Sequence, residues 1–200
     1  MVCFDLFGLR LALDFTAPAW FAFLSLYLPP SVLCRTAAAC LLHECAHLLV
    51  LAATGRKPAL LRVSATGLRL EATGTAVMPL RTFAAILLAG PLANLLAAVL
   101  FSASGMRESA SVHLSLCGFN LLPFRSTDGG TLLDAWLEQH YASKAPELPR
   151  RMQRVLGCVT AAVVLICIFY SRCCNFSLLG MVLLMLIGEN ADRPHFLQNH

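Results

Sequence analysis

Three residues in one apolar run have the types and the spacing for metal chemistry. They are His43, Glu44 and His47, in the stretch RTAAACLLHECAHLLVLAAT from Arg35 to Thr54. The pattern is His-Glu-x-x-His. Residues i and i+4 share a helix face, so both imidazoles project the same way. Two neutral imidazoles at that spacing can hold one Zn²⁺, and Glu44, beside the first ligand, is placed to act as general base toward an attacking water. The alternative is a polar packing cluster between helices. Ionisable groups near a bilayer centre cost roughly 2.5–3.5 kcal/mol each on insertion scales, so such a cluster needs partners or a metal.

A catalytic zinc takes three protein ligands and keeps one position open. Glu44 must stay unligated to act as base, so a third ligand is needed. Asp128 is the strongest candidate, in the segment NLLPFRSTDGG from Asn120 to Gly130. Its two glycines let backbone approach closely and a new helix begin. Asp134 lies further into an amphipathic segment, and Asp14 suits capping. His113 is expected toward the outer side of the membrane. His140, His195 and His200 sit in polar segments.

These residues must be positioned by apolar elements. The chain has 200 residues, 58% hydrophobic and 13% charged, with a mean hydropathy of +0.72. That composition excludes an ordinary soluble domain. Several apolar runs approach the roughly 20 residues that a spanning helix needs. The expected fold class is an all-α polytopic membrane protein, a single domain over residues 1–200. It should have about six transmembrane helices and a small membrane-surface β-sheet. The net charge of +4 is read as a topology signal, with no nucleic acid implied. There are nine cysteines and no Cys-x-x-Cys. Cys40, Cys45, Cys117, Cys158 and Cys167 lie in apolar runs and read as small buried hydrophobes. The N-terminus lacks the layout of a cleaved signal peptide.

Along the chain, Leu9–Phe15 alternates with period two and predicts a strand. Spans are expected over about 17–33, 35–54, 82–102, 152–170 and 176–188. Pro29 and Pro30 should kink or end the first. Gly55 should stop the second. Residues 56–81, basic and with Gly67 and Gly74 as turn candidates, predict a hairpin sheeted with the N-terminal strand. Gly90-Pro91 should mean a kink in the third span or a close helix contact, and Asn94 should hydrogen-bond a neighbouring helix. A polar link over 104–111 leads to an apolar stretch over 112–124 that is too short to span and breaks at Pro123. Residues 131–141 predict a short amphipathic helix. With the N-terminus inside, Arg35, Arg107 and Arg172 are the only three of the fifteen lysines and arginines on the outer side. Both termini and the His43–Asp128 site are therefore expected on the cytoplasmic side of an integral membrane protein.

Three motifs in order resemble one family. They are His43-Glu44-Cys45-Ala46-His47, then Gly90-Pro91-Leu92-Ala93-Asn94, then Asn120-Leu121-Leu122-Pro123 followed by Asp128-Gly129-Gly130. Over about residues 5–135 the chain is similar to the site-2 proteases, which are intramembrane zinc metalloproteases. The resemblance implies that His43, His47 and Asp128 are zinc ligands and Glu44 is the base. It implies that Asn120 positions the substrate or polarises its scissile carbonyl. It also implies that strands near 60–75 pair with an extended substrate by strand addition. The partners implied are the lipid bilayer and a membrane-associated protein substrate. The six-helix layout looks most like the sporulation group, whose substrate is a sigma-factor precursor. No PDZ or CBS domain is expected. The spacer Phe124-Arg125-Ser126-Thr127 is more polar than the proline-rich form common in the family. Two rivals are an inactive homologue acting as a membrane scaffold and a metal transporter, whose ligands would be spread along a path. Oligomeric state stays open.

Overall fold

The structure, a computed structural model, describes residues 2–6, 9–13, 25–26, 28–55, 58–64, 67–72, 78–124, 127–141 and 147–170. The chain divides into two compact units, Met1–Phe119 and Asn120–His200.

In the first unit four strands form one sheet in the order β1-β2-β3-β4: β1 (Val2–Leu6), β2 (Leu9–Leu13), β3 (Pro58–Ser64) and β4 (Gly67–Ala72). The hairpin pairs β1/β2 and β3/β4 are antiparallel, closing at Leu6↔Leu9 and Ser64↔Gly67. β2 and β3 run parallel, with Arg10 opposite Leu60. A parallel pair needs a long crossover, and the helix between these strands supplies it.

That helix is α1, Pro30–Ala53. It starts five residues before Arg35, because Pro30 opens this helix. A first-turn N–H has no intrahelical partner, so proline costs nothing there and its φ is already helical. The Pro29 carbonyl accepts from Val32 N–H and Leu33 N–H at 3.0 and 3.1 Å. Gly55, at φ 73°, takes the left-handed turn that ends the helix. The rest of the expected first span falls on residues 17–29, and most of these, like the expected sixth span at 176–188, lie outside the described residues.

Helix α2, Leu80–Ala103, packs against α1 and carries Pro91 inside it. Gly105, at φ 76°, turns the chain into α3, Arg107–Asn120. The polar link is therefore shorter than expected. Arg107, Glu108 and Ser109 form the first turn of α3, where an acidic residue complements the helix dipole. Arg35 of α1 and Glu108 of α3 form an ion pair. Several of the buried positions on these helices are small: Ala39, Gly90, Ala97, Ala98 and Ala110. Small residues let backbones approach closely.

The other faces of α1 and α2 are apolar and exposed, with Leu49 at 73% and Leu96 at 61%. Each helix has 24 residues, long enough to cross a bilayer, and only 22% and 33% of their apolar windows are buried. A core helix of a soluble protein would bury most of that surface. Apolar faces of this extent call for lipid, and the chain is a membrane protein.

The second unit contains a turn over Leu121–Phe124, then α4 (Asp128–Tyr141) packed on α5 (Leu148–Tyr170). Phe124, Leu137, Gln153 and Ala161 are its buried residues of note. Helix α4 begins at Asp128, three residues before the expected start, because Thr127 caps it. The Thr127 hydroxyl accepts from Gly130 N–H at 3.3 Å, and its carbonyl accepts from Thr131 N–H at 2.9 Å.

Candidate metal centre

His43 and His47 stand one turn apart on α1, and both are buried. Their rings meet edge to face, with centroids 4.7 Å apart and planes at 83°. The two Nε2 atoms face each other at 3.1 Å. Two imidazole nitrogens at about 2.0–2.1 Å from one tetrahedral zinc lie roughly 3.3 Å apart, so the rings already hold nearly the ligating separation.

The far nitrogens are anchored. His47 Nδ1–H donates to the Ile86 carbonyl of α2 at 2.7 Å. A carbonyl only accepts, so the proton sits on Nδ1 and the neutral ring offers a lone pair at Nε2. His43 Nδ1 lies 3.0 Å from the Asn94 amide of α2. The other side of that amide lies 2.9 Å from Nδ1 of His113 on α3. Asn94 is fully buried, and the His113 ring stacks on Phe101 with centroids 5.2 Å apart. Partners of this kind fix the tautomer and orientation of a ligating histidine.

Gly90 keeps the space before the two rings open. A Cβ there would lie 2.5 Å from His47 Nε2 and 2.6 Å from His43 Nε2. Two ring nitrogens at ligand spacing, with anchored back faces and a cradle that any side chain would fill, fit a zinc ion. Glu44 follows His43 on the same helix and is half-buried.

The second unit carries the other two site residues named from sequence. Asp128 is the first residue of α4 and half-buried; Asn120 ends α3 and is also half-buried. A Cβ on Gly129 would lie 2.5 Å from the Leu121 carbonyl oxygen, and one on Gly130 would overlap the Phe124 carbonyl. The glycines thus let the turn over Leu121–Phe124 lie against the start of α4. Gln153 of α5 donates to the Gly130 carbonyl at 2.7 Å. Of the weaker candidates, Asp134 is half-buried in α4, and His140 is exposed with its Nδ1–H donating to the Trp136 carbonyl at 2.8 Å. Asp14, His195 and His200 lie outside the described residues.

Sequence reasoning discounted His113 as an outer-side residue and gave Asn94 a generic role. The structure buries both directly behind His43. A signal was present: Ala110, His113 and Cys117 recur at i, i+3 and i+7, the spacing of one helix face, and all three are buried.

The fold and this site define a membrane protein with a metal-ready histidine pair on a spanning helix. No family model and no curated protein matches the chain. Among solved structures, the chain is similar to the Site-2 Protease from Methanocaldococcus jannaschii. The TM-score is 0.68 and the identity 21%, over 99% of this chain and 99% of that one. At that identity the likeness establishes a shared fold along essentially the whole chain.

Proposed function

We propose that this protein is an intramembrane zinc metalloprotease that hydrolyses a peptide bond within or next to a substrate's membrane segment. The observation that carries this reading is the His43–His47 pair, with Nε2 atoms 3.1 Å apart, anchored from behind and faced by Gly90. The fold shared with a site-2 protease supports it. His43, His47 and Asp128 hold the metal. Asp128 joins the set through the resemblance of its Asp-Gly-Gly segment. When bound, zinc polarises the scissile carbonyl and lowers the pKa of a water toward about 7.

Glu44 is the general base. A carboxylate oxygen takes a proton from the attacking water as oxygen bonds to the carbonyl carbon. It returns that proton to the amide nitrogen as the C–N bond breaks. The Asn120 amide donates a hydrogen bond to the carbonyl oxygen, where negative charge develops. A helical substrate hides its peptide bonds, so it must unwind into an extended segment. The sheet lies at the membrane surface in this reading, and β4, an edge strand of the described sheet, receives the segment by strand addition.

Six spans, cytoplasmic termini and a site opening to the cytoplasm complete the proposal. The Arg35–Glu108 pair supports this topology, because it joins two helix starts that the charge distribution assigns to the outer side. The proposed substrate, a membrane-associated sigma-factor precursor, rests on the resemblance of the expected six-helix layout with a cytoplasmic site to the sporulation group.

The test is co-expression of wild type or Glu44→Gln with a tagged, membrane-anchored sigma-factor precursor, read on a blot, with zinc content measured on both purified proteins. Cleavage by wild type alone, with equal zinc in both, is the expected result. Chelation should abolish cleavage and zinc should restore it. Equal cleavage by a folded, zinc-loaded Glu44→Gln protein overturns the mechanism. Cleavage by neither removes this substrate and calls for other membrane-anchored candidates.

A further inference from the structure

We propose that His113 is a positioning residue of the metal centre: through the Asn94 amide it sets which ring nitrogen of His43 carries the proton. This inference rests on the zinc reading above and deepens it.

The groups form one unbroken line: Ile86 carbonyl, His47, His43, Asn94, His113. The links are 2.7 Å from Ile86 O to His47 Nδ1 and 3.1 Å between the Nε2 atoms. They continue at 3.0 Å from His43 Nδ1 to the Asn94 amide and 2.9 Å from that amide to His113 Nδ1. The line has one fixed end. The Ile86 oxygen can only accept, so His47 Nδ1 donates and, in the neutral ring, His47 Nε2 carries a lone pair.

Two proton arrangements are open to the remaining links, and they differ at the Nε2 pair: the first bridges it with a proton, the second leaves it for a metal. In the first, His43 Nε2–H donates to His47 Nε2. His43 Nδ1 then accepts from the Asn94 NH₂, and the Asn94 oxygen accepts from His113 Nδ1–H. Every link is made, but His43 has no lone pair facing His47, and the pair cannot share a metal. In the second, His43 carries its proton on Nδ1 and donates it to the Asn94 oxygen. The Asn94 NH₂ then donates to His113 Nδ1, whose own proton resides on Nε2. Both His43 and His47 now offer lone pairs at Nε2.

The arrangements differ by a half-turn of the Asn94 amide, whose oxygen and nitrogen have nearly the same shape, and by the tautomers of two neutral imidazoles. No net charge enters or leaves. Only the second admits a metal, and it requires a group at His113 that accepts where it donated before. An imidazole does this by changing tautomer; an apolar side chain cannot. Burial of Asn94 and His113 keeps water from substituting, and the stacking of Phe101 holds the His113 ring in plane.

The test uses full-length protein, ¹⁵N-labelled at histidine and reconstituted in lipid, with ring-nitrogen NMR signals recorded after chelation and after loading with zinc. The His113 signal is assigned by its loss in His113→Asn. Zinc affinity is measured by competition with a chelator for wild type, His113→Leu and His113→Asn. Asparagine places a group able to accept or donate at nearly the position of Nδ1. Zinc should move the His113 proton from Nδ1 to Nε2. His113→Leu should bind zinc roughly 10–100-fold more weakly, as for other outer-shell partners, and His113→Asn should recover most of that loss. An unchanged His113 tautomer in zinc-loaded wild type overturns the inference and leaves the zinc reading standing. So does wild-type affinity in His113→Leu. If that variant fails to fold, the tautomer measurement and His113→Asn decide. Wild type that takes up no zinc refutes the underlying reading, and the inference falls with it.

Discussion

Gly90 on α2 leaves open the space in front of His47 on α1: a Cβ at Gly90 would stand 2.5 Å from His47 Nε2. The imidazole cannot swing aside without breaking its bond to the Ile86 carbonyl, 2.7 Å away. An absent side chain on one helix thus defines the working face of a residue on another.

Gly90→Ala should therefore damage metal binding more than folding. Alanine is the better helix former, so α2 loses nothing locally. The new methyl must displace both rings from their ligating separation, so zinc occupancy should be lost, while overpacking of this kind costs about 1–3 kcal/mol of stability. Zinc content after dialysis against a weak chelator checks it; full occupancy in the variant would show that the space before the rings is not needed.

Asn94→Leu should lower both stability and metal affinity. It removes the partner of Nδ1 on His43 and on His113, two buried groups at 3.0 and 2.9 Å from the amide. An unpaired buried polar group costs about 1–3 kcal/mol. Thermal unfolding in detergent, with and without zinc, measures the two effects separately. A variant as stable as wild type in both states would mean that the amide is not holding the rings.

Two glycine substitutions should behave oppositely. Gly130→Ala would drive a methyl into the Phe124 carbonyl, whereas Gly118→Ala on α3 meets nothing within 4 Å. The first should displace the start of α4, and with it Asp128, and abolish cleavage. The second should be neutral or stabilising by up to about 1 kcal/mol. Limited proteolysis and the cleavage assay, run on both variants, make the comparison; similar behaviour of the two would contradict the packing described.

Glu108→Ala should change little. Its ion pair with Arg35 joins α1 and α3 but is exposed on the glutamate side, at 77%. Pairs of that kind contribute less than about 1 kcal/mol. Melting temperature and zinc content near wild type are expected, and a large loss of either would assign this pair a structural role that its exposure argues against.

Local chemistry was legible in the chain. His43 and His47 fall on one helix face by spacing alone, and an apolar run of the right length makes that helix. The break at Pro123 is equally local. The errors are local too, and each has a cause. Pro30 suits a helix start as well as an end, and Thr127 caps α4 ahead of the expected start at Thr131. The polar residues after Gly105 belong to the first turn of α3.

What stands behind the histidines was not legible. Ile86, Asn94 and His113 stand there on two other helices; Asn94 was expected to bond a neighbouring helix, but nothing in the spacing of one helix states which side chain of another it will face. A residue spacing sets the direction of a side chain on its own helix, because the backbone geometry is fixed. The partner of its far nitrogen, and so its proton and its lone pair, is set by helix packing. The sequence by itself determined that two imidazoles would point one way; only the tertiary structure decided which nitrogens they would present, because that choice depends on donors and acceptors brought together by α2 and α3.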